Sequence, residues 1–169
     1  MEKQKALVWD LPTRSFHWML AASFVGAFVT AESERLRDVH VIFGYTMLGL
    51  IAFRLIWGLV GTRYARFSSF AFGPRSVLEY VKSLFTRSPQ HHVGHNPAGS
   101  WAIYALVALT LLAGATGYAA YNDIGGKWLE EAHEAAANML LGMVLVHIAG
   151  VLVSSLVHRR QAGRKAPDG

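Results

Sequence analysis

The sequence has no cysteine among its 169 residues, and that absence removes several chemistries at once. Disulfides, thiolate metal sites, iron–sulfur clusters and the C-x-x-C-H attachment of c-type haem are all excluded. Any haem in this chain must be held non-covalently. Charge is also scarce: 16% of residues are Asp, Glu, Lys or Arg and 53% are hydrophobic, whereas soluble domains carry about a quarter charged residues. That balance places the chain in the membrane class. There is no internal repeat, low-complexity run or second domain, so residues 1–169 are expected to form one membrane domain. Nothing after Ala31 resembles a small-residue cleavage site, and the first apolar run is expected to stay as a helix rather than leave as a signal peptide.

What is present is four apolar runs, over about 12–31, 38–61, 98–121 and 131–158. Each is long enough to cross a hydrocarbon layer as a helix, so the expected fold is all-α, an integral membrane four-helix bundle. Pro12 after Asp10 and Pro97 after Asn96 suit first-turn positions. Between the second and third runs, PRSVLEYVKSLF sets Val77, Leu78, Val81, Leu84 and Phe85 on one side at helical spacing, which predicts a surface helix over about 74–86. The net charge of +5 is distributed as membrane orientation demands. Lys and Arg collect in the N-terminus, in the connection from Thr62 to Ala98 and in the tail 159–169, while AESERLRD and YNDIGGKWLEE are net negative. The positive-inside rule then puts both termini in the cytoplasm, and nucleic-acid binding is set aside.

The stretch EAHEAAANMLLGMVLVHIAGVLVSSLVH carries His133 and His147 fourteen residues apart. At roughly 100° per residue they return to within about 40° of one face, separated by about 21 Å along the axis. A single histidine in an apolar run is ordinarily a core residue bonded to a neighbouring carbonyl; two on one face of a membrane helix point to function. His17 enters from the cytoplasmic end of the first helix, and His40 lies near the periplasmic end of the second. By height the four sort into His17 with His147 and His40 with His133. Imidazoles facing one another across a bundle suit the two axial positions of an iron porphyrin, whereas zinc prefers three or four converging ligands. Two haems, one per leaflet, are expected.

Arg54 shares the face of His40 but lies fourteen residues on, at the depth of His147, where its guanidinium suits a haem propionate; the alternative is an arginine snorkelling to headgroups. Arg14, a turn before His17, has the same two readings. Gly44, one turn below His40, would admit a porphyrin close to the backbone. Trp18, Trp57, Trp101 and Trp128 read as interfacial anchors. His158 competes with His147 for the same face, but adjoins Arg159 and Arg160 at the headgroups; His91, His92 and His95 in HHVGH read as a solvated loop. The third run has neither charge nor histidine and is expected to pack rather than take part in chemistry.

SFHW, VHVIFGYTMLGLIAFRLIWGLVG and HEAAANMLLGMVLVH together resemble the bacterial cytochrome b561 family, including the b-type cytochrome subunits of nickel–iron hydrogenases. The resemblance runs to about Arg160. It implies a multi-pass protein of the bacterial inner membrane with two non-covalent haems b, ligated by His17 and His147 on the cytoplasmic side and by His40 and His133 on the periplasmic side. It further implies electron transfer between quinone or quinol and a periplasmic cytochrome c or other redox protein, with a homodimer left open. One branch of the family oxidises superoxide and reduces ubiquinone. Arg35, Arg37 and Lys127 are the cations available to gather that anion, though acids outnumber each locally. A haem-free membrane anchor or metal transporter is the third reading.

Overall fold

The computed structural model describes residues 10–62, 65–70, 73–84 and 97–164. Among them all regular structure is helical. Helix α1, Leu11–Thr30, starts beneath Asp10, whose carboxylate accepts the Thr13 backbone N–H at 2.9 Å, while Pro12 in the first turn has no N–H to satisfy. A single 3₁₀ turn, Glu34–Leu36, leads into α2, Arg37–Val60. A second 3₁₀ turn, Phe67–Phe70, precedes α3, Pro74–Leu84, and then come α4, Pro97–Tyr121, and α5, Lys127–Arg164.

Helix α5 differs most from expectation. It begins at Lys127 rather than near Glu131 and continues to Arg164, so part of the expected basic tail is helical. Helix propagation depends on backbone hydrogen bonds, not on hydropathy, and HRRQAGR contains no proline to stop it. At the other end Glu130 lies in the first turn, where the helix dipole favours an acid, and Lys127 pairs with Glu131 at 4.0 Å.

Helix α1 packs along α2, α4 packs along α5, and the two hairpins meet where α2 crosses α4. Gly114 permits that approach, since a Cβ there would collide with the Leu48 side chain. Ile51 is fully buried in the same region. Small polar residues face inward: Ser23, Thr30, Ser100 and Thr110 are buried, and Thr30 and Thr110 return their hydroxyls to the carbonyls of Gly26 and Leu106. The outside is apolar instead, with Val29, Ile56, Leu59, Leu145 and Leu152 exposed. A soluble bundle would bury such residues. Three helical stretches, Glu34–Val60, Pro97–Tyr121 and Lys127–Leu156, are long and apolar enough to cross a membrane. Helix α1 has the length, but Arg14, Ser15 and His17 make its first two turns more polar.

The amphipathic α3 docks on α4 and buries Tyr80, whose hydroxyl bonds to Ser154 of α5. Burial pushes the Tyr80 phenol above its ordinary pKa, and the Ser154 bond partly opposes it. Leu78 stays exposed on α3, beside an Arg75–Glu79 pair at 3.4 Å. Among the described side chains of α3 the buried one is Tyr80, an aromatic outside the predicted aliphatic stripe, of which Val81, Leu84 and Phe85 lie outside the described side chains.

Candidate functional site

The structure brings His40 of α2 and His133 of α5 together: their ring centroids are 6.1 Å apart and the ring planes stand at 82°. Each ring is held from behind by a neighbouring helix. The Nδ1 of His40 lies 2.8 Å from the Ala27 carbonyl on α1, and the Nδ1 of His133 lies 2.9 Å from the Ala113 carbonyl on α4. A carbonyl oxygen only accepts, so each Nδ1 carries the hydrogen and donates it. The lone pair of each imidazole is then left on Nε2, the tautomer that a metal ligand needs, and the carbonyl contact sets ring orientation as well.

The cradle of His133 is made almost entirely by α4. Beyond the Ala113 carbonyl, the Thr116 hydroxyl lies 3.5 Å from Nδ1 while bonding back to Leu112 and Ala113. A Cβ on Gly117 would stand 2.8 Å from Cε1 and 3.0 Å from Nδ1 of His133, too close for the ring to stay where it is. The expectation that this helix only packs is therefore incomplete. The signal was the run AGATG, Ala113 to Gly117, in which small residues expose backbone to a neighbour.

Both imidazoles line a cavity of about 460 Å³ between the two hairpins, within the range of about 300 to 1,000 Å³ typical of ligand sites. Phe24, Phe28, Met47 and Leu48 give it apolar walls. Gly44 also lines it, and the place of its missing Cβ is open space, with no atom within 4 Å. At the mouth are Glu34, Arg37, Tyr121 and Glu130.

At the opposite end, His17 of α1 and His147 of α5 are each half-buried and near enough to interact electrostatically. The His17 ring meets Trp18 edge-on at 5.6 Å. Arg54 is buried here at 4% exposure; its Nη1 donates to the Ala65 carbonyl at 3.1 Å and its guanidinium lies 4.6 Å over the Phe67 ring. It is held inside the fold rather than reaching for headgroups. Arg14 is exposed. Asp10 ties the helix ends together, accepting from Trp57 Nε1 at 3.2 Å and from the Thr62 hydroxyl at 2.6 Å. Partial burial works to raise its pKa, but the bonds from Thr13, Thr62 and Trp57 outweigh this and hold the carboxyl below its ordinary value. Trp57 is thus a structural partner, whereas Trp18, Trp101 and Trp128 are exposed as interfacial anchors would be.

Among the described residues no group of three or more His, Asp or Glu side chains converges on a point. His91, His92, His95 and the side chain of His158 lie outside the described residues.

An apolar helical protein in which two imidazoles, His40 and His133, are brought together with their Nδ1 atoms bonded to carbonyls is of the class that can carry haem without covalent attachment. A family profile described as prokaryotic cytochrome b561 matches residues 8–164, and the chain belongs to that family. It is 28% identical over 153 residues to a probable Ni/Fe-hydrogenase B-type cytochrome subunit of Rhizobium leguminosarum bv. viciae, covering 75% of this chain and 64% of that one. A probable subunit of the same description from Azotobacter vinelandii is 25% identical over 175 residues, covering 86% and 69%. The chain spans about two-thirds of the length of these relatives. No solved structure matches it.

A b-type cytochrome implies haem b, and His40 and His133, each with its Nδ1 bonded to a carbonyl and its ring lining the cavity, are residues that would suit holding it.

Proposed function

We propose that this protein is a di-haem cytochrome b that carries electrons across the bacterial inner membrane, between the quinone pool and a periplasmic redox partner. The observation that carries the reading is the His40/His133 pair: two rings brought together, Nδ1 bonds to Ala27 and Ala113, and the cavity between the hairpins all support His40 and His133 as the residues that would hold a haem there and let it supply a one-electron couple. Helix α1 is the fourth span, since Met19, Val25, Phe28 and Val29 give it an exposed apolar side beyond its polar start. The positive-inside distribution sets both termini in the cytoplasm, His40/His133 towards the periplasm and His17/His147 towards the cytoplasm.

Haem b supplies a one-electron couple at each site. The protein's part is to fix ligand tautomers and exclude water. Ala27 and Ala113 hold the Nδ1–H of the two imidazoles and so leave Nε2 as the ligating atom, and the phenylalanine and aliphatic walls keep the local dielectric low. The two ligand positions of α5 are about 21 Å apart along the helix, one in each leaflet. At the second site Arg54 and Arg14 are the cations nearest in sequence height for propionates, Arg54 being pre-positioned by Ala65 and Phe67.

The relatives named as hydrogenase cytochrome subunits support a redox protein as partner. Superoxide oxidation coupled to ubiquinone reduction is the second reading, favoured by the presence of Arg37 at the open mouth of the cavity and opposed by Glu34 and Glu130 beside it. A dithionite-reduced minus oxidised spectrum with a pyridine haemochrome assay tests the main reading. About two haems b per chain are expected; a chain purified from haem-replete cells without sharp reduced bands would sink it in favour of a haem-free anchor or transporter.

A further inference from the structure

Arg37 opens α2, one turn before His40, and both line the cavity. Its guanidinium carbon lies 5.4 Å above the centre of the Tyr121 ring on α4, so an aromatic face spans the gap between hairpins and holds the cation at the mouth. Glu34 and Glu130 line the same mouth, yet among the described residues no carboxylate comes within ion-pair distance of Arg37. A guanidinium stacked on one face keeps its N–H edge for a planar anion, which it can grip with two parallel bonds.

We infer that Arg37 receives a carboxylate of the group seated between His40 and His133, and so orients its anionic edge towards the mouth. This rests on the haem reading above. The wall geometry supports it: His40 stands one turn, about 4.5 Å, deeper on the same helix than Arg37, so a flat ligand on the imidazoles reaches the mouth with its rim. The remaining walls offer that rim no other cation, since the cavity is lined otherwise by apolar and aromatic side chains, Ser33, Thr110 and the two acids. Tyr121 is a positioning residue, acting through Arg37.

The experiment uses the full-length protein in detergent, with Arg37→Gln, Arg37→Lys, Tyr121→Leu and, as a control, Arg35→Gln; Arg35 does not line the cavity. Haem transfer to an apo-globin and redox titration are followed, each haem being assigned through the histidine variants. Arg37→Gln should speed release of the His40/His133 haem roughly fivefold, as loss of an exposed ion pair does, and lower the midpoint potential of that haem alone. Arg37→Lys should keep the potential but not all of the retention, and Tyr121→Leu should fall between. Arg35→Gln should move neither haem. Unchanged retention and potential in Arg37→Gln would overturn the assignment while leaving the haem reading intact, as would an equal shift in both haems. A variant unchanged in both but slower to be reduced by superoxide would mean that the cation serves a diffusing anion instead. Wild-type protein without haem would remove the parent reading itself.

Discussion

The two ends of the bundle solve opposite problems. Where the α1–α2 and α4–α5 links lie, the hairpins stand apart, and α2 and α5 face each other across a cavity with a histidine on either side. Where α1 begins and α2 ends, the first hairpin is stitched to itself: Asp10 gathers Thr13, Trp57 and Thr62, and Arg54 is locked on Ala65 and Phe67. One end holds space open and the other holds the helices in register around it. Hydrogen bonds in a bilayer stabilise each helix internally, so packing between hairpins must come from a few specific contacts, among them Gly114 against Leu48 and Arg37 over Tyr121, and both pairs border the cavity.

The largest effect expected from breaking this contrast is at the histidines. His40→Ala and His133→Ala should each bring haem content from about two per chain to about one and remove the same spectral component. His17→Ala and His147→Ala should remove the other. If His40 and His133 variants lost different components, the pairing would be wrong.

Gly117→Ala tests the cradle without touching a ligand. Its Cβ would come within 2.8 Å of the His133 ring, which must then swing away from the Ala113 carbonyl. The same haem should lose its six-coordinate low-spin spectrum, while the His17/His147 haem stays unchanged. Gly44→Ala meets no protein atom, so it should fold normally and weaken retention of that haem less than Gly117→Ala does.

At the stitched end the effects should be on stability. Arg54→Met removes a buried bond to a carbonyl and a cation–ring contact, worth together about 1–3 kcal/mol, and should lower the melting temperature by several degrees. If Arg54 also meets a propionate, the His17/His147 potential should fall in the same variant; a lower melting point with both potentials unmoved would leave it a purely structural clamp.

The smallest effect is at Asp10. Asp10→Ala should cost about 1 kcal/mol as a lost helix cap. Because the folded carboxyl lies below its ordinary value of 3.8, its contribution is complete above that pH and is lost as pH falls through the lower folded value. The gap between wild-type and Asp10→Ala melting temperatures should therefore close on acidification below about pH 4. A gap that widened there would contradict the hydrogen-bond account.

Much of this was legible from spacing alone. Fourteen residues between His133 and His147, and between His40 and Arg54, place side chains on one helical face whatever the surroundings. Membrane class, helical content and the exclusion of covalent haem likewise follow from composition and the missing cysteine. What required tertiary structure is everything that depends on a neighbour from another helix. No local pattern could place the Ala27 and Ala113 carbonyls behind the two imidazoles, because a backbone acceptor carries no residue signature. Nor could it turn Arg54 towards Phe67 or Arg37 towards Tyr121, since an arginine side chain has several rotamers and its choice is made by the ring it finds. Helical periodicity determines which face a residue occupies; which partner stands opposite that face is decided by how the hairpins pack.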